Sequence, residues 1–125
     1  MSSFEIRVTI PAQSRYLRIA RLTAAGVASD LGFDLRDLED LRVAVDEMCA
    51  VVIESADPGV ELDLVYRSDG DTLVIEGRCA QDGTAAEIHP IARELLALTA
   101  DEFNVEANGS ERRFRLVKRQ TDRSV

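Results

Sequence analysis

The chain has 125 residues, of which 46% are hydrophobic and 30% charged, proportions typical of one folded domain around one core. The formal net charge of −8 repels phosphate backbones and anionic membranes, which argues against nucleic-acid or membrane binding and favours a basic partner. Two cysteines and one histidine exclude a disulfide framework or zinc cluster, and with no leader or apolar span visible we expect a reduced, cytoplasmic protein.

The first half of the chain predicts one strand and two helices. Residues 4–10 alternate apolar and polar side chains, as a half-buried strand does. Apolar positions recur at helical spacing over 12–31, and Gly32 is placed to end that helix. Asp34 can cap a second helix that continues to about Ala56. Its apolar stripe is Leu35, Leu38, Leu41, Val45, Met48 and Val52.

The second half predicts two hairpins. The runs 60–66 and 73–76 flank a polar turn at 68–71. The runs 103–107 and 113–117 flank Asn-Gly, a strong signal for a tight hairpin turn.

A shorter helix over 88–99 separates the hairpins, with Ile91, Leu95 and Leu98 on its apolar side. The resulting order is β-α-α-β-β-α-β-β. Hairpin-linked strands favour a mixed or antiparallel sheet, and three amphipathic helices can cover one face of it. The sequence therefore predicts an α+β two-layer sandwich, with residues 1–118 as one domain and 119–125 as a disordered tail.

Two adjacent acids interrupt the apolar helix in the segment "AVDEMCAVVIESA". Each helical residue advances about 100°, so with Met48 at the centre of the stripe, Glu47 falls at its border and Asp46 points towards solvent. A carboxylate at such a border is partly desolvated, which fits it for general-base chemistry. Most acids at helix borders are merely solvated, and that interpretation stays open.

A long continuous run, "IPAQSRYLRIARLTAAGVASDLGFDLRDLEDLRVAVDEMCAVVIESA", resembles the opening half of the anti-sigma factor serine kinases (RsbW-like). These share an ATPase superfamily with histidine kinases, gyrase and Hsp90. The second half of the chain matches the family only in element order. The resemblance implies a shortened histidine-kinase-like ATPase fold, a mixed sheet backed by helices.

The resemblance also implies a nucleotide site, which this sequence carries incompletely. The family acid matching Glu47 activates the attacking hydroxyl, and the residue one turn later is normally an Asn that binds Mg²⁺. Here that residue is Val51, which has no oxygen to offer a hard cation. The family's adenine-binding Asp-x-Gly-x-Gly is represented by Asp82 and Gly83, with Ala85 at the second glycine position. Asp-Gly is also a common turn dipeptide.

Two further family features are missing. The last helix is entered through "EIHPIARELLAL", which contains no glycine, and residues 80–87 are too few for a hinged lid and an adenine pocket. His89 is interpreted as a residue near the helix start rather than a ligand. Phosphoryl transfer needs cations and backbone dipoles to neutralise charge. We therefore expect kinase activity to be weak or lost and no cofactor, with ATP and Mg²⁺ bound only if the site still functions.

If kinase activity is weak or lost, the function that we expect the protein to keep is partner binding. The resemblance implies that Arg21 contacts both a sigma factor and a STAS-domain antagonist, and Arg15, Arg18 and Arg21 form a basic strip along one helix. We expect an anti-sigma-like regulator, a homodimer as in related proteins, with Arg18 and Arg21 at the partner surface. Two alternatives stay open: an active serine kinase that phosphorylates the antagonist, and a dimeric interaction module without sigma binding.

Overall fold

Five strands and three α-helices make up the part of the chain that the computed structural model describes, residues 4–81 and 87–121. They are β1 (Glu5–Pro11), α1 (Leu17–Asp30), α2 (Leu35–Ile53), β2 (Glu61–Asp69), β3 (Thr72–Cys79), α3 (Pro90–Thr99), β4 (Glu102–Ala107) and β5 (Arg112–Arg119). A short 3-10 turn, Ser14–Tyr16, joins β1 to α1. The predicted order of strands and α-helices is confirmed.

The strands form one sheet in the order β1-β2-β3-β5-β4, and every neighbouring pair is antiparallel. The two predicted hairpins are present as β2–β3 and β4–β5. Strand β1 also pairs with β2, although α1 and α2 lie between the two strands in the chain. In the helix layer α2 contacts both α1 and α3, and it also packs on β3 and β5. The predicted α+β two-layer sandwich is thus confirmed, with an antiparallel sheet.

The alternation of side chains along β2 shows how the sheet separates its two faces. Leu62, Leu64 and Tyr66 are buried towards the helices, and the Tyr66 hydroxyl donates to the Ala20 carbonyl oxygen at 3.0 Å. On the opposite face Arg67 pairs with Glu5 at 3.0 Å. An antiparallel sheet with one packed and one solvated face has this pattern. The core therefore lies between the sheet and the helix layer.

Local signals end α1 and begin α2 as predicted. The start of α1 is Leu17 rather than Ala12, because Gln13 is extended and Ser14–Tyr16 form a 3-10 turn. Gly32 has φ +90°, the left-handed conformation that glycine adopts readily after a helix. The Asp34 carboxylate accepts a hydrogen bond from the Asp37 backbone N–H at 2.9 Å, which caps α2. The C-terminus of α2 is Ile53 rather than about Ala56, because Ser55 has φ +59° and cannot continue a right-handed helix.

The orientation of α3 differs from the sequence expectation. Ile91, Leu95 and Leu98 are 75%, 37% and 79% exposed, whereas Ala92, Leu96 and Thr99 are buried. Both sets have the same spacing of four and then three residues, so periodicity fits either face. The structure buries the set with the smaller side chains. Leu35, the first residue of the predicted α2 stripe, is also exposed, at 73%.

Order extends beyond the domain boundary predicted at residue 118. Strand β5 ends at Arg119, and the Gln120 side chain donates to the Gly32 carbonyl oxygen at 2.7 Å. Thr121 donates to the Asp37 carboxylate from its backbone N–H at 2.9 Å and from its hydroxyl at 2.7 Å. These hydrogen bonds hold residues 119–121 against the start of α2; the rest of the predicted tail, 122–125, lies outside the described residues.

The carboxylate of Asp37 is fully buried, and Lys118 Nζ lies 3.7 Å from it and 3.6 Å from Asp40. Asp37→Ala removes the buried partner of this ion pair and both hydrogen bonds that its carboxylate accepts from Thr121, so it should lower the free energy of unfolding by about 3 kcal/mol. Asp40→Ala is the matched control: this side chain is 32% exposed, and its loss should cost no more than about 1 kcal/mol. Urea denaturation measures both, and equal losses would contradict the special role of Asp37.

Gly77 on β3 faces Phe114 on β5, and a Cβ added at Gly77 would collide with the buried Phe114 ring. Gly77→Ala should therefore destabilise the fold by about 1–3 kcal/mol through overpacking. Gly109→Ala, where an added Cβ meets no atom within 4 Å, should change stability by less than about 0.5 kcal/mol. Thermal or urea unfolding of the two variants checks the difference; an undisturbed Gly77→Ala protein would show that Phe114 can move without cost.

Candidate functional site

A cavity of about 480 Å³ lies between the start of α1, the C-terminal half of α2 and the start of α3. Glu47, partly buried, and Val51, one turn further along α2, both line it, and so does His89 at the start of α3. The structure thus brings these three sequence-predicted positions to one place. Asp82 and Gly83, the predicted nucleotide-binding pair, lie outside the described residues.

The described wall of the cavity combines apolar and acidic side chains. Val51 is buried at 7% exposure and presents methyl groups where the resemblance implies a Mg²⁺ ligand. Three glutamates line the described part of the cavity, Glu47, Glu54 and Glu87. No lysine or arginine lines that part. A polyphosphate there would meet like charge and hydrocarbon, both unfavourable. The described residues also hold no group of three or more His, Cys, Asp or Glu side chains that could bind a metal.

The entry to α3 adds little anion-binding capacity. His89 is the N-cap, makes no side-chain capping bond, and is followed by Pro90 at the first helical position. Helix N-termini bind phosphate through free backbone N–H groups, and proline has none. One of the groups that would cradle phosphate is therefore missing from this helix start.

Two side chains, one from just beyond β3 and one from β5, hold the C-terminal end of α2 beside the cavity. Gln81 donates to the Val52 carbonyl oxygen at 2.7 Å, and Arg112 Nη1 donates to the Glu54 carbonyl oxygen at 2.7 Å. They satisfy carbonyls that lack partners at a helix end. No sequence motif marks Gln81 or Arg112 for this task, because the contacts join elements distant along the chain.

The two arginines predicted to bind a partner differ in the structure. Arg21 Nη1 donates to Asp46 Oδ1 at 2.6 Å, a pair whose side chains are 32% and 48% exposed. Asp46, expected to point towards solvent, is thus half exposed and ties α2 to α1. Arg18 is exposed on α1. The basic strip is therefore partly neutralised, with Arg18 more open to a partner than Arg21.

The outer surface of α1 also carries exposed apolar residues that sequence reasoning missed. Ile19 and Leu22 are 38% and 68% exposed and lie next to Arg18 and Arg21 along the helix. Large exposed aliphatic side chains beside arginine are typical of protein-binding surfaces. We define Arg18, Ile19, Arg21 and Leu22 as the α1 surface.

A second concavity, of about 570 Å³, lies on the open face of the sheet. Charged residues that pair with one another line it, Arg78 with Asp63 at 3.4 Å and Arg67 with Glu76. Two lining arginines also pair with carboxylates beside the concavity, Arg67 with Glu5 at 3.0 Å and Arg113 with Glu111 at 2.7 Å. The Arg67 pairing lowers the pKa of the Glu5 carboxyl, and the Arg113 pairing lowers that of Glu111. This is a solvated ionic face with its charges matched, and it offers no chemistry of its own.

Comparison with curated proteins finds relatives named serine-protein kinase RsbW. Two of them, from different strains of Bacillus cereus, are 35% and 40% identical over 99 residues, which cover 76% of this chain and 60% of each relative. The chain thus matches about 60% of the length of these relatives. The resemblance read from the sequence is confirmed. No protein-family model matches the chain.

Comparison with solved structures finds the crystal structure of the RsbU and RsbW domains of Rv1364c from Mycobacterium tuberculosis. The TM-score is 0.68 at 14% sequence identity, over 93% of this chain and 32% of that one. At this identity the likeness concerns the fold, and it supports the predicted RsbW-like ATPase fold. Within the described ranges no helix is long and apolar enough to cross a membrane.

Proposed function

We propose that the protein is an anti-sigma-type regulator that acts in the cytoplasm with weak or lost kinase activity. It binds a sigma factor and keeps it from core RNA polymerase until a STAS-domain antagonist competes for the same surface. The observation that carries the proposal is the contrast between two parts of the molecule. The α1 surface is exposed and amphipathic, whereas the described wall of the cavity offers phosphates no cation.

The α1 surface supports partner binding. Arg18 supplies an exposed positive charge on an otherwise acidic protein of net charge −8, and Leu22 supplies apolar area beside it. Arginine is enriched among the residues that dominate the energetics of protein interfaces, and exposed apolar patches mark interaction sites. Arg21 is held by Asp46, so its guanidinium keeps a fixed position from which its remaining N–H groups can reach a partner. The exposed Ile19 and Leu22 also support homodimer formation through this helix.

The cavity supports the loss of catalysis. Glu47 lies where a general base would act, but the neighbouring Val51 offers no oxygen to a metal. Phosphoryl transfer depends on positioning and on positive charge around the transferred group. A carboxylate alone supplies neither, so Glu47 is a remnant of the family's machinery in this proposal.

An active serine kinase is the second candidate function. The observations that favour it are that Glu47 lines the cavity and that the curated relatives are named serine-protein kinases. This candidate requires residues 82–86 to supply the phosphate contacts that the described wall lacks.

A titration with a fluorescent ATP analogue and Mg²⁺ separates the two candidates. We expect no saturable binding at micromolar nucleotide and no transfer of labelled phosphate to a STAS-domain serine. Val51→Asn serves as the matched variant and should remain inactive, because one amide does not replace the missing glycine turn. Transfer by the wild-type protein that disappears in Glu47→Gln would establish the kinase and end the proposal of lost activity.

Sigma-factor capture by purified protein tests the α1 surface. We expect Arg18→Glu and Leu22→Ser each to weaken binding by about tenfold, the effect of losing roughly 1.4 kcal/mol. Arg36→Glu, an exposed position on α2, is the matched control and should bind like the wild type. Unchanged capture by all three variants would favour the interaction module without sigma binding.

For Arg21, exchanging the charges of the Arg21–Asp46 pair is a more specific test of partner contact than a single substitution. Arg21→Asp with Asp46→Arg keeps an ion pair between α1 and α2, and such an exposed pair contributes only about 0–1 kcal/mol to stability. If Arg21 touches the partner, the single variant Arg21→Asp and the swap both lose affinity while remaining folded. Restored affinity in the swap would mean that Arg21 only positions α1.

A further inference from the structure

Helix α3 carries an exposed apolar stripe. Ile91, Leu95 and Leu98, which we call the α3 surface, are 75%, 37% and 79% exposed. At about 100° per residue the three side chains fall within an arc of about 60°, so they form one face rather than scattered contacts with water. A contiguous apolar surface of this kind is typical of an interaction site.

The fold cannot bury the α3 surface by turning the helix. Leu96 is fully buried on the inward side, together with Ala92 and Thr99. A rotation that buried Ile91 and Leu98 would expose Leu96 and break the contact between α3 and α2. The described residues, 4–81 and 87–121, therefore leave the α3 surface uncovered.

Charges around the α3 surface decide what can cover it. Glu94 is exposed and borders the stripe on its outer side, about 100° from Leu95. Arg93 points elsewhere, with its guanidinium carbon 5.7 Å from the centre of the Phe103 ring on β4. The Glu102 carboxylate, beyond the end of α3, forms an ion pair with the Arg119 guanidinium at 2.7 Å. The charge beside the stripe is thus negative.

A second copy of the chain is a poor partner for the α3 surface, because Glu94 borders that surface. In a two-fold dimer the residues near the axis meet their own copies, so pairing through Leu95 would bring Glu94 close to Glu94. A partner with a basic residue at this border does not meet that repulsion.

We propose that the α3 surface docks an amphipathic helix of a different polypeptide, one whose apolar face is bordered by lysine or arginine. Its apolar residues would pack against Ile91, Leu95 and Leu98, and a basic residue would face Glu94. Helices recognised in this way present apolar anchors at positions i, i+3, i+4 and i+7. The surface lies on a different helix from the α1 surface, so this site is additional to the proposed sigma-binding site.

Two labelled peptides of about 18 residues, long enough to form helix, test the proposal by fluorescence anisotropy. Both carry leucine at the four anchor positions; one has lysine at the bordering positions and the other glutamate. We expect saturable binding of the lysine peptide to the full chain and none of the glutamate peptide. Ile91→Ser and Leu98→Ser should each weaken binding by about tenfold or more. Both residues are largely exposed, so these variants should fold normally.

The matched control is Leu22→Ser, since Leu22 is an equally exposed leucine, 68%, on α1; it should bind the lysine peptide like the wild type. Glu94→Lys should reverse the preference and admit the glutamate peptide. Equal binding of both peptides, binding of neither, or an equal loss in Leu22→Ser would overturn the proposal. So would a dimer, seen by sedimentation, that Leu98→Ser dissolves. None of these outcomes depends on sigma-factor capture, which is measured separately on the α1 variants.

Discussion

The placement of α2 is the constraint on which the rest of the molecule depends. This helix packs on the sheet and contacts both other helices, and side chains from outside it fix both of its ends. At the N-terminal end the buried Asp37 accepts hydrogen bonds from Thr121 and lies near Lys118. At the C-terminal end Gln81 and Arg112 bind carbonyl oxygens of the last turn. Because both ends are held, every residue on α2 has a set position relative to the sheet.

Both candidate sites, the cavity and the α1 surface, therefore depend on the position of α2. Glu47 and Val51 reach the cavity from one side of α2, and Asp46, next in sequence to Glu47, ties Arg21 and the α1 surface to the same helix. Burial of Cys49, which raises the pKa of its thiol, marks the inward side between them. In the proposed function, one helix thus positions both Glu47, the remnant of a catalytic site, and Arg21, the partner-binding arginine, so that loss of catalysis leaves the arginine in place.

Local signals in the sequence predicted most of the fold. Strand alternation, the Asp34 cap and the Gly32 helix end are encoded within a few residues, and each was confirmed. The Asn108–Gly109 signal correctly predicted the β4–β5 hairpin, although its connection runs over the four residues 108–111. Contacts between distant elements were not predictable in this way. The Arg21–Asp46 pair depends on the register of two helices, and the orientation of α3 depends on which of two equally spaced stripes meets α2. Sequence periodicity contains neither quantity. The site was accordingly predicted at Glu47 and Val51, which share one helix, and less completely at the α1 surface.

The substitution at position 51 links stability to the proposed loss of chemistry. An asparagine there, the residue that the family resemblance implies, would place a polar amide at a buried position, and a buried polar group costs free energy unless it finds partners. A bound metal would provide such a partner. Without nucleotide and metal, valine is the more stable residue, because its methyl groups complete the apolar wall beside Leu17 and Ala92. In the proposed function phosphorylation is not required, so stability favours valine. The exposed α1 and α3 surfaces contribute little to the core, and the proposed partners can shape them independently of this wall.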